Sequence, residues 1–428
     1  MFEKKCMNPK VISTQNSEKR ELEKAFKFNL FDPKFNANPY PTYHRLRSED
    51  PVHRYFVGGD WIVTRYADVK AVLKSGCVRT DDRPKSIQER NKYFQDKGKN
   101  LNTLAYTTSR FLFYMNPPDH TRLRALVSKS FSQVVVEGMR YRIREIVDEL
   151  LDKVRHQGSM DIVADLASPL SVSVISKLLG IPKEAQQQLH QWTNVLSRIL
   201  DPLVSLEEYT AMNKATEKIQ EYLSTLIAER EKDPQEDLIS NLIRAKEQND
   251  RLSQKEILAI CTLLFGAGEE TTGNTIGNGM LALLQYPKQM EKLKREPTLI
   301  ASAVEEIIRY DSAIQMLTRI ATENLEIGNQ TIKAGEKIVL CLGAANRDPA
   351  QFPEPDELNI NREQNQHVAF ADSIHYCLGA ALARVEAQIA INTLIQQFPD
   401  LKLASNKLER KKSIVIRGLK ALPINFTC

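Results

Sequence analysis

The chain has 428 residues, 42% of them hydrophobic, and a formal net charge of +5. That length and apolar content support a large buried core, while basic residues spread among acids argue against a nucleic-acid partner. Six scattered cysteines, with no CxxC and no Cys/His cluster, argue against structural zinc and for free thiols in a reducing compartment.

Residues 1–27 are polar and charged and read as a flexible tail. No linker, repeat or low-complexity tract divides the rest, so residues 28–428 are expected to form a single catalytic domain. The N-terminus has no apolar leader, and no run of about 18 apolar residues occurs. A cytoplasmic protein without a membrane anchor is the expectation.

A helix is expected over residues 40–50, after Pro39 and Pro41, and a strand over residues 61–66. Residues 77–108 hold short helices and a polar stretch with no clear period, and so long an irregular segment is usually functional. Pro117 and Pro118 then open a helix, with Asp119 near its cap. His120 and Arg124 share one face of it. They either clamp a carboxylate or phosphate or form a solvated basic face. Helical patterns fill residues 135–248, interrupted near Gly180-Ile181-Pro182 and Asp233-Pro234.

Ser253 and Glu256 make a capping box that opens a helix reaching residue 285, roughly 50 Å long. Its flanks are almost wholly apolar, so it should cross the core. Its middle reads Phe265-Gly266-Ala267-Gly268-Glu269-Glu270-Thr271-Thr272-Gly273. Each helical glycine costs about 1 kcal/mol against alanine. Several together imply a close approach to the backbone, a distorted helix, or simple helix packing. An acid beside hydroxyls can pass protons and hold a small polar ligand. A threonine there can equally bond back to its own helix.

A further helix, Ile300–Tyr310, carries Glu306 and Arg309 at i, i+3. Taken alone, such a pair is surface decoration worth about a few tenths of a kcal/mol. Strand-like pieces follow at 317–321, 325–327, 331–332 and 337–342, then a Pro-rich meander to Arg362. His367 leads into Phe370-Ala371-Asp372-Ser373-Ile374-His375-Tyr376-Cys377-Leu378-Gly379, and a helix runs on to residue 397. Residues 401–426 read as short strands and turns. Cys377 precedes a helix N-terminus, where the dipole and backbone N–H groups favour thiolate, the form that ligates iron. A lone cysteine there is otherwise a small residue at a loop–helix junction.

In this order and spacing, the motifs resemble those of a cytochrome P450 of the soluble bacterial type, over about residues 28–426. The resemblance implies a mainly α fold with small β-sheets (α+β), a triangular prism with its long central helix over haem b. Cys377 would be the axial thiolate of the haem iron, in a loop with His375 and Gly379. His120, Arg124, Arg319 and His367 would hold the propionates, and Ala267 and Gly268 would line the oxygen-binding groove. Glu270 and Thr271 match the acid–alcohol pair that supplies protons during oxygen activation. Glu306, Arg309 and Arg362 match a buried structural triad, and Leu263, Gly266, Ile314, Leu317 and Val415 match pocket walls. One departure stands out: Ala371 and Ser373 replace two glycines of the family pattern. They must take up the glycine turn with strain or shift it.

The implied activity is that of a haem-thiolate monooxygenase inserting one oxygen atom of O₂ into a lipophilic small molecule. The class would be a fatty acid, terpenoid, steroid or polyketide-like secondary metabolite. Electrons would come from a separate ferredoxin- or flavodoxin-type protein on the cysteine side, with Arg122, Lys129 and Arg384 as candidate contacts. A monomer is expected. Two rivals stay open: a peroxide-driven peroxygenase, and a non-catalytic haem-binding relative, to which the altered loop points.

Overall fold

The computed structural model describes residues 28–96, 98–247, 250–398 and 400–427; the expected tail at residues 1–27 lies outside them. The helix α1 (Tyr40–Glu49) falls within residues 40–50 as expected, the strand β1 (Val52–Arg54) is one the sequence reading does not place, and β2 (Trp61–Val63) takes the first half of the strand expected over residues 61–66. Residues 77–108 carry short helices, as expected. They hold β3 (Val78–Thr80), α2 (Arg83–Gln95) and α3 (Asn102–Ser109). In α2 only Ile87 and Phe94 are buried, so no apolar stripe announces the helix.

The helices that follow are α4 (Asp119–Ser128), α5 (Arg140–Asp152), α6 (Ser168–Leu179), α7 (Lys183–Leu196) and α8 (Leu206–Lys232). α6 stops at Gly180, whose φ of 76° is left-handed and costs a glycine little. α8 stops at Asp233, just before Pro234. Then come α9 (Gln254–Gln285), α10 (Ile300–Tyr310) and α11 (Ala380–Gln397).

α9 is the long apolar helix expected from the capping box. Ser253 Oγ accepts the Glu256 N–H at 3.3 Å, and Glu256 Oε2 accepts the Ser253 N–H at 2.8 Å. The helix is continuous and buried over most of its length, from Glu256 to Leu283. Its glycines serve packing. A Cβ on Gly268 would touch Ile175, one on Gly273 the Ala167 carbonyl, and one on Gly277 Val163. All three positions face the segment that carries α6, which therefore lies close against α9. That segment, Ile162–Leu179, has a mean hydropathy of 1.6, enough by length and composition to cross a membrane, and is 56% buried in the protein core.

Two further strands, β4 (Met316–Ala321) and β5 (Lys337–Cys341), complete a five-stranded sheet of order β1-β2-β5-β4-β3. β2 and β5 run parallel, with Trp61 opposite Ile338; the other pairings are antiparallel. A small second sheet joins Ser159–Asp161 to the C-terminal pieces Lys402–Leu403 and Pro423–Asn425. The largest core cluster lies among α5, α6, α9, α10 and α11. The fold is thus mainly α with small sheets, and the cysteine loop enters α11 beside that core.

Candidate functional site

The loop before Cys377 keeps the shape its replaced glycines would have taken. Ala371 has φ 59° and Ser373 φ 63°, both left-handed. The turn is held by Ala371 N–H to Val368 O (2.9 Å), Tyr376 N–H to Ser373 O (3.1 Å) and Cys377 N–H to Phe370 O (2.9 Å). Asp372 Oδ1 accepts the Ser373 N–H at 2.6 Å. An L-residue in this region costs about 1–2 kcal/mol, partly offset by the chain entropy glycine would add. Ala371→Gly and Ser373→Gly are therefore each expected to raise unfolding stability by up to about 1 kcal/mol. Urea unfolding of the two variants checks this; unchanged midpoints would show that the surrounding bonds already absorb the strain.

Cys377 is an exposed free cysteine with many protein atoms around its sulfur. Burial pushes its thiol pKa up, against the lowering effects of the Gly379 N–H, Arg124 and Arg384. A metal cation at the sulfur reverses that balance.

Four basic side chains gather beside this loop. His120 is buried, its ring stacks at 4.4 Å on His375, and neither of its ring nitrogens has a partner. Arg124 donates to Tyr376 O at 2.7 Å. Burial and the charges of Arg319, His120 and Arg124 push the His375 pKa down to about 3. Burial likewise brings Arg319 down to about 10, with Asp81 working against it. His120 and Arg319 are buried, and this group of donors, two of them guanidinium cations, suits the carboxylates of a haem. His367 is not part of this group. Its Nε2 lies 3.2 Å from Glu305 Oε2, on the other side of Phe370.

On α9, Ala267 is exposed although the helix on either side is buried, and Thr271 is half-buried. Thr271 Oγ1 donates to Ala267 O at 2.8 Å, so the hydroxyl does bond back to its own helix. Glu270 pairs with Lys411 at 3.4 Å. Gly268, expected to line the groove with Ala267, has its missing side chain directed at Ile175 of α6. The open face of this turn is made by Ala267 and Thr271.

Glu306 and Arg309 are not surface decoration; both are fully buried. Glu306 accepts from Arg309 Nε (2.7 Å) and Nη2 (2.8 Å), from Arg362 Nε (3.1 Å), and from the Asn359 N–H (2.9 Å). Arg309 spends its remaining donors on the carbonyls of Asn346 and Pro355 at 2.8 and 2.9 Å. The triad thus fastens α10 to the meander.

Beside it, Glu305 takes Arg384 Nε at 2.5 Å as well as His367. Burial would raise the Glu305 pKa, but the hydrogen bonds and charges of His367 and Arg384 bring it from 4.5 to about 2. A carboxylate held below its unfolded value stabilises the fold above that value. Its contribution is lost as pH falls from about 4.5 toward 2. Glu305→Gln is expected to flatten this part of the acid-unfolding curve, read by circular dichroism between those pH values. Arg384 is therefore bound into the loop's support, and Arg122 pairs with Glu256.

Of the expected pocket walls, Ile314 bridges to Ile416, Gln315 N–H donates to Val415 O at 2.8 Å, and Leu317 lies on β4. Those three walls meet where the C-terminal segment crosses β4. Leu263 is buried on α9, and Gly266 faces Thr193 of α7. Sequence reasoning missed the Glu269–His190 and Glu270–Lys411 pairs. Their partners are 79 and 141 residues away, beyond any local signal.

Comparison with known proteins agrees with this arrangement. The cytochrome P450 family model matches residues 28–418. The polyketide biosynthesis cytochrome P450 PksS of Bacillus subtilis is 39% identical, over 94% of this chain and 98% of the relative. The crystal structure of P450BioI, in complex with an acyl carrier protein ligated to hexadec-9Z-enoic acid, superposes with a TM-score of 0.86 at 37% identity. It covers 92% of this chain and 99% of that one. The myxobacterial cytochrome P450 CYP267B1, in complex with myristic acid, gives a TM-score of 0.85 at 37% identity, covering 93% and 99%. The chain belongs to the cytochrome P450 family and is a monooxygenase of that family.

Proposed function

We propose that Cys377 is the thiolate ligand of haem b and that the chain oxygenates an extended lipophilic molecule, an acyl or polyketide-like chain. The observation that carries this reading is the cysteine loop itself, with His120, Arg124, Arg319 and His375 gathered beside Cys377. The bound haem supplies the oxygen-activating redox chemistry. The chain's own residues do the rest. Cys377 donates electron density toward the iron. Arg124 and Arg319 would neutralise the propionates, and His120 and His375 would offer ring N–H groups beside them. Glu270 carries protons to the site, and the Thr271 hydroxyl, anchored on Ala267 O, keeps its lone pairs free to accept and pass one on. Leu263, Ile314, Leu317 and Val415 wall the substrate with apolar surface.

The substrate class rests on the relatives, which are a polyketide-biosynthesis enzyme and two structures holding fatty-acyl groups. Electrons come from a separate ferredoxin- or flavodoxin-type protein. The test supplies the holoenzyme with O₂, such a donor and its reductase, and either myristic acid or an acyl carrier protein charged with a long acyl chain. A product one oxygen atom heavier is expected. Equal rates with hydrogen peroxide alone would replace the reading with a peroxygenase, and no product from either set would favour a non-catalytic haem protein.

A further inference from the structure

Two acids sit side by side on α9, and they are used differently. Glu269 is buried against α7, where its carboxylate accepts from Thr193 Oγ1 at 2.7 Å and meets His190 Nδ1 at 2.8 Å. These contacts fasten the turn from one side. Glu270 points elsewhere and meets the ammonium of Lys411 at 3.4 Å; their side chains are 11% and 34% exposed.

Lys411 belongs to a tight C-terminal turn. Its N–H donates to Gly418 O at 3.0 Å, and Arg410 bridges Leu419. Ser413 fixes the tip: its hydroxyl donates to the buried Asp201 at 2.7 Å and accepts the N–H groups of Val415 and Ile416 at 3.2 and 2.9 Å. Asp201 is further committed to Arg198. One short segment therefore carries a pocket wall, Val415, and the cation facing Glu270.

We propose that Lys411 is a positioning residue for oxygen activation. It holds the Glu270 carboxylate in the orientation from which protons are delivered, and it ties that orientation to the segment bearing Val415. The inference rests on the reading of Glu270 as the proton-delivering acid.

The test compares Lys411→Gln, Lys411→Arg, Glu270→Gln and the double variant Lys411→Gln/Glu270→Gln. Hydrogen exchange of residues 409–419, which needs no substrate, is expected to speed up alike in Lys411→Gln and Glu270→Gln. The double variant should add nothing further. In the holoenzyme with myristic acid as probe, Lys411→Gln is expected to lower turnover by about tenfold to a hundredfold. Myristate affinity, read by absorption titration, should stay unchanged, and Lys411→Arg should restore most of the rate. Unmoved exchange, parental turnover, or joint loss of turnover and affinity in Lys411→Gln would overturn the proposal. If Glu270→Gln is impaired while Lys411→Gln is not, only the role of Lys411 fails. If Glu270→Gln turns over like the parent, the reading of Glu270 falls and the proposal falls with it.

Discussion

Replacing Cys377 with alanine is expected to leave a folded chain that has lost monooxygenation and its thiolate-type absorption band in the reduced, carbon monoxide-treated state. The fold should survive because the side chain supports little. It is exposed, and its sulfur only receives the Gly379 N–H. The loop is held instead by backbone bonds among residues 368–377 and by the Arg124 and Arg384 side chains. The chemistry should not survive, because no other thiol shares this loop. Cys261 and Cys341 are buried elsewhere, with burial pushing each thiol up to about 12. The four basic groups remain in the variant, so haem carboxylates still have partners and some haem should stay bound. The spectrum of that species is the decisive reading. A non-thiolate band assigns the ligand to Cys377, whereas a retained thiolate band would move the site away from this loop altogether.

The largest loss of stability is expected from Glu306→Ala. The substitution leaves Arg309, fully buried, and Arg362, nearly so, facing each other without their shared carboxylate. Breaking a buried pair from one side costs about 3–5 kcal/mol. Whole domains are stable by only about 5–15 kcal/mol. The variant should therefore give little soluble protein, or a urea midpoint far below the parent. Glu306→Gln keeps the size and some acceptor capacity, and should fall between the two. A loss under about 1 kcal/mol for Glu306→Ala would place this pair among ordinary surface ion pairs. The position would then have no claim to anchor the meander.

The parts of the molecule legible in the sequence are those where local chemistry decides. The Ser253–Glu256 box and the apolar flanks placed α9 nearly to the residue, since capping and burial both act within a few positions. Gly180 and Pro234 marked helix ends for the same reason. α2 could be anticipated only as one of several short helices, without bounds, because a helix lying on the surface with two buried residues has no periodic stripe. Glu306 and Arg309 illustrate the next limit. Spacing shows that they can pair, but only the tertiary structure, or a family resemblance, shows that the pair is buried. His367 shows a contact that no sequence motif announces. Its neighbours in sequence belong to the cysteine loop, yet its ring turns to Glu305, while His375 joins His120. The glycines of α9 were open to three readings, and the close approach of α6 selects one.

The five-stranded sheet has a consequence for the order in which the chain can acquire its structure. β2 is flanked by β1 on one side and by β5 on the other, and Trp61 finds its parallel neighbour only at Ile338. β3, too, waits for β4. During synthesis β1, β2 and β3 therefore emerge without their sheet, and only the two-stranded β1–β2 ribbon can form, which is marginal on its own. Closure across so long a separation is slow relative to local helix formation. The helices from α4 to α9 have time to gather first, and the N-terminal strands are stitched on last. Cutting the chain before β5 should release the opposite end of the protein to proteases, although no residue near that end has been touched.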